Sequence, residues 1–327
     1  SNTRIILSIL IAIVISLTIF VVIMFFITQH NVNQQYLERM FYQNDTNTSK
    51  NKIYFFGSSH INALNTTHID KKIQDGGLIG FSTYNIMMNS DNPSRRLNTI
   101  DMVLLTKPQV VVYGIDMRSF VESNIGSFQN ENKLLPDPQK NLKIFFNIFK
   151  ENIPVDLSFL SSPKFSMLKS IRGLFQDGDR QQLMEFSPYP NAPTVLITKE
   201  NLVSKSYEEL RNMKSVQTLD QFRESEINKE VMALKQIIKE FKQNNIKIII
   251  FTTPYPKSYG EQVQSKITPF NDMIKNIESY TDLKIYRLDY TDIDTQIWSD
   301  PTHIAINKNS TIYSNDVAKI ILNEIGP

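Results

Sequence analysis

Short apolar runs that alternate with helix-period stretches predict an α/β fold, a doubly wound, three-layer parallel sheet covered by helices on both faces. Two further observations shape that expectation. An uncharged apolar run opens the chain, and about a hundred residues in the middle, near Arg118 to Ser225, interrupt the alternation.

The opening run, Ile5 to Ile27, is 23 residues without a charge. At 1.5 Å per residue this is enough to cross a hydrocarbon core of ~30 Å. A cleaved signal peptide has a shorter apolar region and a small-residue cleavage site. Here Phe25-Phe26-Ile27 runs straight into Thr28-Gln29-His30. Residues 1–27 are therefore expected to be a transmembrane anchor set in the bilayer. With Arg4 on its amino side, the positive-inside rule places that end in the cytoplasm and the carboxyl-terminal domain outside. Sequons at Asn44, Asn47, Asn65 and Asn309 suit an outside domain, although an Asn-rich chain also makes them by chance.

Residues 28–51 are rich in Asn, Gln and Thr and are expected to form a polar stalk. The α/β domain then spans 52–327. Lys52 to Phe56 reads as a buried strand ending at Gly57. Further strands are expected at Leu78 to Ile86, Gln109 to Ile115, Ile246 to Thr253 and Lys284 to Asp289. Helix faces are Leu97/Ile100/Leu104, then Ile227/Val231/Leu234/Ile238/Phe241, then Val263/Ile267/Phe270/Ile274/Ile277, and last Tyr313/Val317/Ile320/Ile321. The interruption at 118–225 carries seven prolines and is expected to be an inserted, partly helical cap over the carboxyl edge of the sheet, far longer than a normal loop. A partner-binding surface is the other reading of the same stretch.

Charge and composition exclude several functions. Thirty-five Lys and Arg against 33 Asp and Glu leave a net charge of +2, without the basic excess of a nucleic-acid binder. The absence of cysteine excludes a disulfide scaffold, a thiolate metal site and a cysteine nucleophile. His60 and His68 have no ligand spacing that completes a metal shell, so neither a metal nor a cofactor is expected.

The chemistry is expected where strands end. Ser59, in Gly57-Ser58-Ser59-His60, follows the first strand at the start of a helical turn. There a serine is exposed and backbone N–H groups lie close enough to stabilise an oxyanion. An ordinary N-cap serine has the same surroundings. Asp300-Pro301-Thr302-His303 adds the missing partners, because a serine nucleophile needs a base and the base needs an orienting carboxylate. In a doubly wound sheet this loop lies on the same carboxyl edge as Ser59. Asp116 and Arg118 are expected to pair with each other, with binding of an anionic substrate as the other reading, Tyr255 to line the pocket, and Trp298 to be packing rather than a sugar platform.

Gly57-Ser58-Ser59, Lys107-Pro108-Gln109 before Gly114, and Asp300-x-x-His303 resemble the SGNH (GDSL) hydrolase superfamily. The anchor and the insert resemble its membrane-anchored cell-envelope branch, that of D-alanine transfer (DltD) and alginate O-acetylation proteins. The resemblance implies an SGNH/flavodoxin-like sheet and a Ser59–His303–Asp300 triad. It also implies acyl transfer on an envelope glycan or polymer, beside a membrane-bound acyltransferase partner. The family's oxyanion Gly and Asn are absent from Tyr84 to Ser90 and from Tyr113-Gly114-Ile115-Asp116. Asn85, Asn89, Gly114 and Asp116 are the residues expected to line the oxyanion site or pocket in their place. A fold-retaining binding or assembly protein without catalysis is the rival reading.

Overall fold

The computed structural model describes residues 34–45, 51–120, 185–213, 224–293 and 296–326. The expected anchor at 5–27 and most of the expected cap lie outside the described residues. Among the described residues, no helix is long and apolar enough to cross a membrane.

Five parallel strands form the central sheet: β1 (Asn51–Gly57), β2 (Phe81–Asn85), β3 (Val110–Ile115), β6 (Lys247–Thr252) and β7 (Ile285–Arg287). Their order is β2-β1-β3-β6-β7, every pair parallel. Two further strands among the described residues, β4 (Glu185–Phe186) and β5 (Leu196–Ile197), make a small antiparallel ribbon.

Alternation along the strands builds a separate core on each face. Ile53, Phe55, Val110, Val112, Ile249 and Phe251 pack on one face. There they meet α2 (Thr66–Asp75) and α9 (Thr311–Ile325) through Ile69, Ile73, Val317 and Ile321. Tyr54, Phe56, Val111, Tyr113, Ile248 and Ile250 take the other face. They meet α4 (Ile100–Thr106), α6 (Glu224–Gln243) and α8 (Gln264–Thr281) through Val103, Leu234, Phe241 and Ile274. Strands covered on both sides bury successive residues, so β1 and β3 read as continuous apolar runs rather than alternating ones.

The expected single helix through Leu97, Ile100 and Leu104 is two short ones, α3 (Pro93–Leu97) and α4. Asn98 and Thr99 break them, since short polar side chains compete with helical hydrogen bonds; the Thr99 hydroxyl donates back to the Arg96 carbonyl.

Part of the stretch expected as a polar stalk is a docked helix, α1 (Gln34–Asn44). Its charge is turned inward. Glu38 meets Arg96 at 2.6 Å, Arg96 also holds Asp91 at 2.8 Å, and Arg96 and Glu38 are fully buried. The guanidinium lies 4.2 Å from the Phe56 ring centroid, an arrangement planar Arg adopts readily. A polar sequence looks solvated in isolation; here Glu38 is paired with Arg96 inside the domain.

Because β1 lies between β2 and β3, the chain reverses direction across the sheet at the β1/β3 boundary. Crevices at such a switch point are where doubly wound sheets bind ligands. Gly57 and Gly114 pair across that boundary. Gly57 has φ +151°, and a Cβ there would stand 2.7 Å from the Gly114 carbonyl oxygen.

Candidate active site

The site begins where β1 runs out. Ser58 caps the short 3-10 turn Ser59–Ile61, which lifts Ser59 out of the sheet and leaves it half-buried. Among the described residues, no acceptor takes the Ser59 N–H. Opposite it stands the loop before the last helix. An isolated antiparallel bridge between Trp298 and Ile304 and a Ser299 N–H bond to the His303 carbonyl at 2.9 Å close this loop into a tight hairpin. Trp298 is buried in the core, so its work is packing.

Inside the hairpin, Asp300 Oδ1 accepts the N–H groups of Thr302 at 2.8 Å and His303 at 3.0 Å. Its carboxylate also takes His303 Nδ1, at 2.9 and 2.8 Å. That contact assigns the proton to Nδ1 and leaves Nε2 as an acceptor. Nε2 lies 2.7 Å from Ser59 Oγ. Ser59, His303 and Asp300, far apart in sequence, thus form one continuous hydrogen-bond chain.

The electrostatics agree with those roles. Burial pushes the His303 imidazole below its ordinary value; Asp300 opposes this and His60 adds to it, and the net direction is down. Burial alone would raise Asp300. The bonds from His303 and the Thr302 N–H outweigh it and hold the carboxyl well below the usual carboxylate range. The resting state is a neutral imidazole on an ionised carboxylate, the form that can accept a serine proton.

The other expected residues fall in different places. Asp116 comes to the site, with its carboxylate on His60 Nδ1, Ser58 Oγ at 3.0 Å and the Ser119 N–H at 2.9 Å. Its carboxylate therefore contacts the His60 imidazole, not Arg118 as expected, because the short turn after β1 carries the imidazole to the end of β3. Burial raises the Asp116 carboxyl, but His60 and these hydrogen bonds hold it well below its ordinary value. Gly114 lies beneath the site and serves close packing: a Cβ would meet Ile61 at 2.7 Å and Phe251 at 2.9 Å. Asn85 is fully buried and donates its amide to the Ile61 carbonyl at 2.9 Å, bracing the Ser59 turn from behind. Asn89 is exposed; its N–H goes to Gln34 and its carbonyl to Arg95.

Beside the serine, at the carboxyl ends of β3, β6 and β7, opens a cleft of about 170 Å³. His60, Arg118, Tyr255, Tyr259, Arg287 and Asp289 line it. Tyr255 thus lines the pocket as expected. His60 and Thr302 are where this cleft adjoins the Ser59–His303 pair.

Lys205 is a functional candidate that the sequence did not reveal. It lies in the described part of the insert. Its N–H bonds the Trp298 carbonyl at 2.7 Å and its ammonium bonds the Ser299 carbonyl at 2.7 Å. It thereby clamps the hairpin one residue before Asp300, and no local motif marks such a long-range contact.

No family model and no curated protein match the chain. Among solved structures, the chain is similar to an acetyl xylan esterase, AlAXEase, at 9% identity and a TM-score of 0.39. That likeness covers 84% of this chain and 99% of that one. It is too slight to bear on function.

Proposed function

We propose that this protein is an SGNH-type serine esterase or O-acyltransferase in which Ser59 carries the acyl group as an ester. The observation that carries this reading is the hydrogen-bond chain from Ser59 Oγ through His303 to Asp300. Ser59 Oγ attacks the acyl carbonyl carbon as its proton passes to His303 Nε2. The tetrahedral intermediate collapses, and His303 returns the proton to the departing alkoxide. Water or an acceptor hydroxyl then attacks the acyl-serine, gives its proton to His303, and Ser59 leaves with that proton. Asp300 keeps Nδ1 protonated throughout. The Ser59 N–H is the candidate donor to the oxyanion.

The cleft between His60 and Asp289 is the place for the alcohol part of the ester. Its tyrosines, arginines and Asp289 suit a polyhydroxylated group, which needs both flat apolar faces and hydrogen-bond partners. The apolar run Ile5–Ile27 supports a domain tethered to the bilayer from outside the cytoplasm. Its targets there are O-acyl groups of envelope glycans, and its partner is a membrane-bound acyltransferase. Protease added to intact cells digests a domain so placed; protection until the membrane is opened removes this localisation.

A second reading is a binding or assembly protein of the cell envelope that keeps the fold without the chemistry. It is favoured by Asn85, an amide expected at the oxyanion site, being turned to the Ile61 carbonyl. A fluorophosphonate probe and a small acetyl ester separate the two. Under the enzyme reading Ser59 is modified, and His303→Ala slows the reaction ~10²–10⁴-fold. A well-folded protein inert to both reagents establishes the binding role instead.

A further inference from the structure

Two imidazole–carboxylate pairs lie face to face in this site. One is His303 on Asp300, aimed at Ser59. The other is His60, whose Nδ1 meets Asp116 and lies 2.7 Å from Ser58 Oγ. The two rings stack with centroids 4.8 Å apart and planes 21° from parallel. His60 is 8% exposed, so its ring is held on one side by Asp116 and Ser58 and on a face by His303.

We propose that His60 is a positioning residue: clamped by Asp116 and Ser58, it holds the His303 ring in the plane that faces Ser59 and couples the proton on His303 to its own. The effect on rate rests on the serine chemistry proposed above; the coupling between the rings does not.

Each ring presents Nδ1 to a carboxylate and keeps a proton there, which leaves Nε2 to take a second one. When the Ser59 proton moves to His303, an imidazolium forms against the His60 ring. A second positive charge at that distance in a buried site is strongly disfavoured. His303 therefore accepts the proton readily only while His60 is neutral. The neighbouring charges have defined signs. Asp300 favours protonated His303 and Arg118 disfavours it, Asp116 offsets charge on His60, and Arg287, Asp289, Tyr255 and Tyr259 line the adjoining cleft.

The chain contains four histidines, so a side-chain NMR titration of the whole protein resolves each ring, and single substitutions assign the signals. His60→Phe keeps an aromatic ring against His303 and removes the charge. His60→Gln removes the charge and keeps a donor for Asp116, which covers the case in which the first variant fails to fold. In both, the His303 midpoint is expected to rise by about one pH unit, since His60 lowers it in the wild type. The acid limb of Ser59 labelling should rise with it. His60→Ala, lacking any ring, should label at pH 8 about 10-fold more slowly than wild type. An unchanged His303 midpoint in His60→Phe and His60→Gln overturns the coupling. Wild-type labelling at pH 8 by His60→Ala overturns the positioning role. A shifted midpoint in a protein whose Ser59 never reacts supports the coupling and overturns the serine reading.

Discussion

Glu38 and Arg96 meet at 2.6 Å with neither side chain exposed to solvent, joining α1 to α3. Helix α1, Gln34–Asn44, is thereby part of the folded domain.

Removing one partner should be more damaging than removing both. Arg96→Met leaves Glu38 and Asp91 as uncompensated buried charges and is expected to cost ~3–5 kcal/mol. The triple change that also makes Glu38→Leu and Asp91→Leu should recover much of that loss. Urea unfolding midpoints check both, and equal losses for single and triple variants would contradict the buried-pair account.

The paired glycines at the sheet's switch point tolerate no side chain. Gly114→Ala puts a methyl 2.7 Å from Ile61 and 2.9 Å from Phe251, and overpacking of this kind costs ~1–3 kcal/mol. Gly57→Ala adds an unfavourable φ to a clash with rigid backbone, so it should be the worse of the two. Thermal melts of both variants rank them.

Asp300→Asn should leave the fold intact and slow Ser59 modification by as much as ~10⁴, because the amide no longer enforces the Nδ1–H tautomer. Near-wild-type labelling by a folded Asp300→Asn protein would remove Asp300 from the mechanism.

The pH dependence has a definite direction. His303 acts as the neutral base, and its folded value lies below the ordinary 6.5. Ser59 modification should therefore rise as pH rises through that lowered value, with the acid limb centred below pH 6.5. Asp116 and Asp300 are held below their ordinary 3.8 in the folded state. Their stabilising contribution is fully present above that value and is lost as pH falls through it toward the lowered folded values. Asp116→Asn should accordingly show a shallower loss of stability than wild type on acidification below about pH 4; parallel acid-unfolding curves would contradict this.

Lys205 supports the Asp300 hairpin without touching the reacting atoms. Lys205→Met gives up the bond to the Ser299 carbonyl but keeps the backbone bond to Trp298, and it should cost ~1–3 kcal/mol or less in stability. Ser59 labelling should fall about 10-fold as the hairpin loosens, with partial recovery in Lys205→Arg. No change in labelling rate would show that the hairpin holds itself.

The strands and long helices were legible in the sequence because burial on one or two faces imposes a period. Phe55 and Val112 belong to runs buried on both faces, while Leu234 and Phe241 repeat at helical spacing. Gly57 and Asp300-x-x-His303 were legible for a related reason. A tight turn after a strand and a loop that folds a carboxylate onto its own histidine are local events, set by neighbouring residues. Contacts between distant segments left no such mark. Ser59 and His303 were expected on one sheet edge from topology and resemblance, but only the tertiary structure set their 2.7 Å contact, turned Asp116 from Arg118 to His60, and laid the His60 ring on His303. The same holds for the burial of Glu38 against Arg96, which made a packed helix of a stretch whose composition reads as solvated. Periodicity reports which face of an element is covered. Which charge or ring covers it depends on chain crossings that bring together residues such as Ser59 and His303, 244 positions apart, and those are decided by the fold as a whole.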